Sequence, residues 1–315
     1  MSTSRDLQAR LDNASRWGSW VRPSAHAPLR AEHWHPRHAS LVRHTSETLC
    51  GGRWVHILGD STGRFLYAAW LTLLNGSTRA PGFPLHTLPD DDKCSFRRVG
   101  WPTSSRGPCK ERWRGPCYDH VQNCTLDFRA PNGWRVSFAW WHGGFKTFPT
   151  PPLLGSPDLV LVALGTWEAR AENGRGPNPH AMHHKHLKAS FGVVEQLRAQ
   201  LHPDSAVVVM GNGLCRANQH EFWRKSRGPR AQQATWPPPA FEALVAAGNR
   251  ETRAFVRRTA ANGGAPLAYL DRTASMASAP KDTQSPCFAY HPYGALSDLH
   301  VEVLLNAVLC RSSLR

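Results

Sequence analysis

The sequence predicts an α/β protein with three layers, in which helices cover both faces of a mainly parallel, five-stranded sheet. Short apolar segments alternate with longer segments of helical periodicity along most of the 315 residues, which is typical of this class. Most of the short segments are continuously apolar, so both faces of each strand are expected to be buried. With 41% hydrophobic residues, the chain can bury a large core.

The predicted strands are runs of aliphatic residues that end at a glycine or a polar residue. In chain order they cover residues 53–59, 134–144, 156–169, 205–213 and 265–272. The predicted helices place apolar residues three or four positions apart and cover residues 62–75, 190–201, 239–262 and 297–310. Ligands bind at the carboxyl ends of the strands in such folds, so the residues that follow each strand are candidates for a functional site.

One domain, residues 51–315, accounts for all of these elements. Residues 1–50 are polar and rich in proline, histidine and arginine, and we expect an extended arm with at most one short helix. An insertion is expected at about residues 76–130, because this segment is rich in proline, glycine and charged residues and lacks helical periodicity.

The cysteines and the glycosylation sequons indicate the cellular compartment of the protein. Four of the eight cysteines lie in the insertion, at Cys94, Cys109, Cys117 and Cys124. Their spacing fits disulfides better than the close pairs of a zinc site. Three N-x-[ST] sequons begin at Asn13, Asn75 and Asn123. These features predict a disulfide-bonded glycoprotein of the secretory pathway, in the Golgi lumen or outside the cell, and a reduced cytoplasmic protein is the alternative.

The formal net charge of +15 favours anionic partners in general. The basic residues are scattered, however, and no nucleic-acid-binding module is recognisable, so no nucleic-acid partner is expected. No run of about 18 apolar residues occurs, so no membrane span is expected in this chain.

A serine follows the first predicted strand directly. The segment Gly59-Asp60-Ser61 lies where the strand gives way to a helix. A serine at this position can act as a nucleophile, because the amide groups at a helix amino end stabilise an oxyanion beside it. Ser61 or Thr62 could instead simply cap the helix, and Asp60 is expected to accept hydrogen bonds from the turn.

The segment "GDSTGR" resembles block I of the SGNH/GDSL hydrolase superfamily, and more narrowly of its PC-esterase branch. That branch includes trichome-birefringence-like polysaccharide O-acetyltransferases and sialic-acid O-acetyltransferases. Three further segments follow in the family's order: "VSFAWW", "LVLVALGTWE" and "YHPYGALSDLHVEVLLNAVLC". The resemblance spans residues 53–310 and implies an SGNH-hydrolase-like fold and serine acyl transfer.

Carried over by position, the resemblance makes Ser61 the nucleophile and a C-terminal histidine the general base. Gly165 and Thr166 would form the oxyanion hole together with the amide of Ser61. Arg64, at the family's basic position, would contact the substrate. Trp167 stands where the wider superfamily has an asparagine donor, and its ring could stack on a sugar. The glycine donor of the family's second block would be Gly143 or Gly144.

The C-terminal block departs from the family's D-x-x-H pattern. Phe288 stands three residues before His291, and Ser297 stands three residues before His300. We favour His291 as the base, because a loop histidine reaches a serine more freely, and keep His300 as the alternative. The acid that orients the base could be Asp282, Asp298 or Asp271, or the enzyme could use a Ser-His dyad.

A histidine cluster offers a rival site: His180, His183, His184 and His186. On a helix, His180 and His184 would share a face and could bind a metal. No glutamate stands where a zinc peptidase needs one, so a basic loop is the favoured interpretation, and no metal or cofactor is predicted.

These observations predict a hydrolase or transferase: a serine O-acyl esterase or O-acetyltransferase that acts on a carbohydrate, with acetyl as the expected acyl group. A catalytically inactive glycan-binding relative is the first alternative, because no acid stands at the family's spacing. A basic nucleic-acid-binding protein is the second alternative.

Overall fold

The computed structural model describes residues 3–16, 18–21, 24, 30–37, 41–45, 47–74, 125–141, 155–164, 179–213, 238–278 and 295–310. The helices in these ranges are α1 Ser4–Ser15, α2 Ser61–Leu74, α3 Pro179–Gln200, α4 Pro238–Thr259, α5 Thr273–Ala277 and α6 Ala295–Leu304. The strands are β1 Gly18–Trp20, β2 Trp34–Pro36, β3 Trp54–Gly59, β4 Thr125–Arg129, β5 Arg135–Trp140, β6 Leu159–Ala163, β7 Ala206–Met210 and β8 Leu267–Leu270. A 3₁₀ turn covers Ala31–His33, and a π-helical turn, Leu305–Leu309, continues α6.

The main sheet confirms the predicted fold class. Its strand order is β4-β5-β3-β6-β7-β8, and all neighbours are parallel except β4 and β5. Strand β4 corrects the prediction of five strands and lies inside the segment predicted as an insertion. Sequence reasoning missed it because Leu126 and Phe128 alternate with charged residues, as expected for an edge strand rather than for a buried run.

Helices cover both faces of this sheet. On one face, α2 packs against β3 and β5, and α6 packs against α2, so that Leu66, Trp70 and Leu299 share one apolar cluster. On the other face, α3 and α4 pack against β6, β7 and β8, and the rings of Phe191 and Phe255 stack with centroids 4.2 Å apart. None of the helices in the described ranges has the length and hydropathy of a membrane span.

The N-terminal segment is part of the folded body. Thr3 and Asp6 form a capping box that starts α1, and Leu7 is fully buried in the core. The side chain of Gln8 accepts from the backbone N–H of Tyr269 at 2.7 Å and donates to its carbonyl at 2.9 Å. Ser4 accepts from the N–H of Leu267 at 3.0 Å. An extended arm is therefore not observed here, and the domain boundary at residue 50 stays a prediction.

Three described residues, Val42, His44 and Cys50, attach to α6 and the turn that continues it. Asn306 pairs with both backbone groups of Val42, at 2.8 and 2.9 Å, and the N–H of His44 donates to the carboxylate of Glu302 at 3.3 Å. A disulfide joins Cys50 to Cys310. The remaining six cysteines, and with them the predicted cysteine-bearing insertion up to residue 124, lie outside the described residues.

Candidate active site

The topology places the serine motif at the edge of the sheet where ligands bind in such folds. The five parallel strands have the order β5-β3-β6-β7-β8, so the chain leaves β3 towards one side and returns on the other. The crevice of such a sheet lies outside the carboxyl ends of the two strands at this reversal, here β3 and β6. Strand β3 ends at Gly59 and β6 ends at Ala163. The segments that begin at Asp60 and at Leu164 therefore border this crevice.

Ser61 is the first residue of α2, and only Asp60 separates it from β3. Asp60 is buried, and its Oδ1 accepts a hydrogen bond from the N–H of Thr62 at 2.8 Å. Asp60 thus supplies the cap that the helix needs, as expected from the sequence, and Ser61 is not required for that role. For Ser61 and Arg64 the structure describes the backbone alone.

Two glycines let the junction between β3 and α2 pack closely. A Cβ atom at Gly59 would lie 2.7 Å from the Cβ of Ala163 at the end of β6. A Cβ atom at Gly63 would lie 3.2 Å from Ile57 Cγ2 and 3.3 Å from Phe138 Cε2. The glycine pattern of "GDSTG" is thus explained by packing, which holds the start of α2 against the sheet.

A buried polar cluster lies at the carboxyl ends of β7 and β8, the next two strands of the sheet after β6. Asn212 lies after β7, where its N–H donates to Asn249 Oδ1 at 2.9 Å and its carbonyl accepts from Asn249 Nδ2 at 2.7 Å. Arg272 lies after β8 and has 0% of its surface exposed. Its Nε donates to the carbonyl of Gly211 at 2.6 Å, and its Nη2 donates to Asn212 Oδ1 at 3.3 Å.

The charges of this cluster extend towards the serine motif. Burial lowers the pKa of Arg272 to about 10, and the negative charge of Asp60 opposes that shift. A buried cation is stable only where nearby groups compensate its lost hydration. The charge of Asp60, after β3, thus acts on the buried guanidinium that follows β8.

His300 lies on α6 and is fully buried. Its Nε2 lies 3.2 Å from the Oγ of Ser275. Burial and then the charge of Arg272 move its pKa well below the ordinary value. A general base must carry a proton during the reaction, and this environment disfavours the protonated ring. His300 is thus less suited to that role than a histidine on a loop, although its role stays a prediction.

Neither of the two candidate acids that the structure describes hydrogen-bonds to His300. Asp298 lies two residues before His300 on α6, and side chains two positions apart on a helix do not face each other; its charge acts on Glu302. Asp271 is buried, accepts from the N–H of Thr273 at 2.9 Å, and forms an ion pair with Arg253. No described atom hydrogen-bonds to Nδ1 of His300, so neither carboxylate orients that ring.

The other predicted site residues lie outside the described residues. They are His291, Gly165, Thr166 and Trp167, together with the candidate donors Gly143 and Gly144 and the candidate acid Asp282. The pairing of Ser61 with a histidine and the composition of the oxyanion hole stay predictions.

The histidine cluster lies on a helix rather than in a loop. Helix α3 begins at Pro179, a residue favoured in a first turn, which is eleven residues before the predicted start at 190. Nδ1 of His184 lies 2.7 Å from Oε2 of Glu251 on α4. His183 is buried, and burial lowers its pKa to about 4. In the ranges that the structure describes, no three metal-ligating side chains come together.

No protein-family model and no curated protein sequence matches the chain. Among solved structures, it is similar to a carbohydrate esterase family 2 enzyme with a carbohydrate-binding domain from Corynascus thermopiles (Myceliophthora fergusii). That match has 17% identity and a TM-score of 0.38, and it covers 88% of this chain and 68% of the other. A family two carbohydrate esterase from Clostridium thermocellum matches with 11% identity and a TM-score of 0.33, over 84% of this chain and 65% of the other. Likeness at this level carries no argument about activity.

Sequence reasoning missed Asn212 and Arg272. A signal existed for both, because an asparagine between two glycines and an Asp-Arg pair each lie at the carboxyl end of a predicted strand. In a parallel sheet, such positions meet at one edge. Their mutual hydrogen bond depends on the neighbouring positions of β7 and β8, which the local sequence does not encode.

Proposed function

We propose that the chain is a serine acyl-transfer enzyme, an O-acyl esterase or O-acetyltransferase that acts on a carbohydrate. The observation that carries this proposal is the position of Ser61. It is the first residue of α2, directly after the central strand β3, at the point where the strand order of the sheet reverses. Because Asp60 already caps α2, the cap does not require the serine hydroxyl.

In this proposal, Ser61 Oγ attacks the carbonyl carbon of an acyl group, and a histidine takes the hydroxyl proton. His291 is the favoured base, and His300 is the alternative. The negative charge that develops on the carbonyl oxygen is stabilised by the amide of Ser61, by the amino end of α2, and by the segment Gly165-Thr166 that follows β6. The histidine then protonates the leaving alcohol, and an acyl-Ser61 intermediate remains.

The second half of the reaction decides between esterase and transferase. Water releases the acid, whereas a sugar hydroxyl takes the acyl group to give a new ester. The resemblance to the PC-esterase branch is the reason for proposing a carbohydrate substrate. Arg64 and Trp167 of this chain are its proposed contacts. The disulfide between Cys50 and Cys310 supports an oxidising compartment, in which many glycans are made or modified.

The direct test incubates the protein with an aryl acetate and compares it with Ser61→Ala. The unmodified protein is expected to release the phenol and to carry an acetyl group of about 42 Da on the peptide that contains Ser61. Ser190→Ala is a matched control, because this buried serine on α3 hydrogen-bonds to the carbonyl of His186 at 3.2 Å and lies apart from the motif. Equal release of the phenol by the unmodified protein and by Ser61→Ala, without an acetylated Ser61 peptide, would contradict the proposal.

A catalytically inactive glycan-binding protein is the second candidate. The observation that favours it is that His300 has no orienting acid among the described residues: its Nε2 meets Ser275 and its Nδ1 has no partner. This candidate predicts that acetylated oligosaccharides bind equally to the unmodified protein and to Ser61→Ala, and that neither protein releases acetate.

A further inference from the structure

We propose that the outer edge of β8, Leu267–Leu270, is a self-association surface that helix α1 keeps covered. When α1 leaves this edge, it pairs with the same edge of a second copy of the chain. The surface lies outside the proposed reaction, and its existence does not depend on Ser61. Three features point to it: the character of the two sheet edges, the hydrogen bonds between α1 and β8, and the apolar residues that α1 buries there.

The main sheet has two edge strands of different character. Strand β4 lies at one end of the sheet and carries Asp127 and Arg129, whose side chains are exposed by 42% and 71%. Charges of this kind keep an edge strand from pairing with another chain. Strand β8 lies at the other end and has the sequence Leu-Ala-Tyr-Leu, without a charge or a proline. It therefore depends on another form of protection.

Helix α1 supplies this protection with side chains that take the place of a neighbouring strand. The carbonyl of Leu270 accepts a hydrogen bond from the residue that follows β7, so the carbonyl of Tyr269 faces outwards. Gln8 binds the outward N–H and carbonyl of Tyr269 at 2.7 and 2.9 Å. Ser4 accepts from the N–H of Leu267 at 3.0 Å. An added strand would bind these same three backbone groups.

Helix α1 also buries apolar residues beside this edge. Leu7 and Leu11 have 0% of their surface exposed, and they share one apolar cluster with Ala268 and Leu270 of β8. Withdrawal of α1 would expose an apolar strip next to three backbone groups that lose their partners. This combination is a template for pairing with another chain.

A second copy of the chain is the occupant that matches this edge. Two identical edges can pair in antiparallel fashion about a two-fold axis. With Ala268 of each copy at the centre, Leu267 of one copy lies opposite Tyr269 of the other, and the outward N–H groups meet outward carbonyls. Each copy brings the same apolar strip, so the pair buries the surface that α1 otherwise covers. The resulting dimer is closed, because neither copy has a free β8 edge left.

The experiment compares Gln8→Leu and Leu7→Ala, each in the full chain, with two control variants. Gln8→Leu removes both bonds to Tyr269 at nearly constant side-chain size. Gln196→Leu makes the same exchange at an exposed position of α3. Leu66→Ala is matched to Leu7→Ala, because both leucines have 0% of their surface exposed and lie in the same apolar cluster.

Thermal unfolding establishes which variants are folded, and sedimentation velocity then measures molar mass across a wide range of protein concentrations. Gln8→Leu and Leu7→Ala are expected to double in mass as the concentration rises. The unmodified protein, Gln196→Leu and Leu66→Ala are expected to stay monomeric, because α1 still covers the edge. Should Leu7→Ala fail to fold, the comparison of Gln8→Leu with Gln196→Leu gives the same decision.

Hydrogen exchange identifies the surface that pairs. It is followed in peptides that cover residues 4–15 and 265–272. In the dimer of either α1 variant, residues 4–15 are expected to exchange faster than in the unmodified protein, because α1 has left the edge. Residues 265–272 are expected to exchange more slowly at high than at low concentration. In the unmodified protein and the controls, both peptides should exchange independently of concentration.

Three results would overturn the proposal. The first is a monomer at every concentration for each folded α1 variant. The second is a dimer in which residues 4–15 stay as protected as in the unmodified protein, since β8 would then still be covered. The third is an equal doubling of mass in the unmodified protein or the control variants. None of these results bears on the proposed function, which is tested by turnover at Ser61.

Discussion

Removal of the Cys50–Cys310 disulfide is expected to produce a large loss of stability. The bridge closes a loop across 260 residues of sequence. In the chain-entropy treatment, such a loop removes about 19 cal/mol/K from the unfolded chain, or about 5–6 kcal/mol at 25 °C. Native bridges that have been removed from proteins cost about 2–5 kcal/mol, so we expect Cys50→Ala/Cys310→Ala to lose about 4–5 kcal/mol.

A second attachment near the disulfide should keep the protein folded when the bridge is removed. Asn306 continues to hold Val42, so the segment that leads to residue 50 keeps a second attachment to the last helix. The free energy of unfolding is measured in guanidinium chloride by fluorescence of the 13 tryptophans. Each single alanine variant breaks the same bridge, so each should lose about as much as the double variant. A loss below about 1 kcal/mol would refute the loop-entropy reasoning and would mean that other constraints already restrict the unfolded chain.

Two further predictions concern packing and pH. Gly59→Ala should cost about 1–3 kcal/mol, because its Cβ would lie 2.7 Å from the Cβ of Ala163. Adding Ala163→Gly should restore part of that loss, and strictly additive losses in the double-mutant cycle would contradict the predicted contact. Burial raises the pKa of Glu302 from 4.5 to about 7. The folded state therefore binds an extra proton in this window, and stability falls by up to about 3 kcal/mol as pH rises through it. Glu302→Gln should reduce the pH dependence of the free energy of unfolding, measured in urea, between pH 4.5 and about 7. An unchanged pH dependence would contradict the raised pKa of Glu302.

The junction of β3 and α2 was predictable because all of its determinants are local. An aliphatic run, a glycine, an acid that can cap a helix and a period of three to four residues occur within 20 positions. The predicted helix over residues 62–75 differs from α2 by one residue at each end. The same kind of pattern located the other parallel strands, because burial on both faces leaves a continuous apolar run.

Elements that depend on distant partners were predicted poorly or not at all. Strand β4 alternates polar and apolar residues beside a turn at Gly133, where φ is +85°, so its pairing with β5 did not stand out from the surrounding loop-like sequence. The disulfide pairing could not be deduced, because no local rule joins Cys50 to Cys310. The burial of Arg272 is a consequence of how β7 and β8 lie side by side. For the candidate site, the sequence located the serine motif, whereas the buried charges of Arg272 and Asp271 depend on the fold.

The long-range contacts of helix α1 also constrain the order in which parts of the chain can fold. The hydrogen bonds of Gln8 and Ser4 reach partners 261 and 263 residues further along the chain, and a ribosome makes those partners long after α1. Until then, the apolar side of α1 lacks the surface that buries Leu7, and the edge of β8 does not yet exist. Helix α1 therefore cannot pack in this way until β8 has been made, and such long-range contacts form more slowly than local ones.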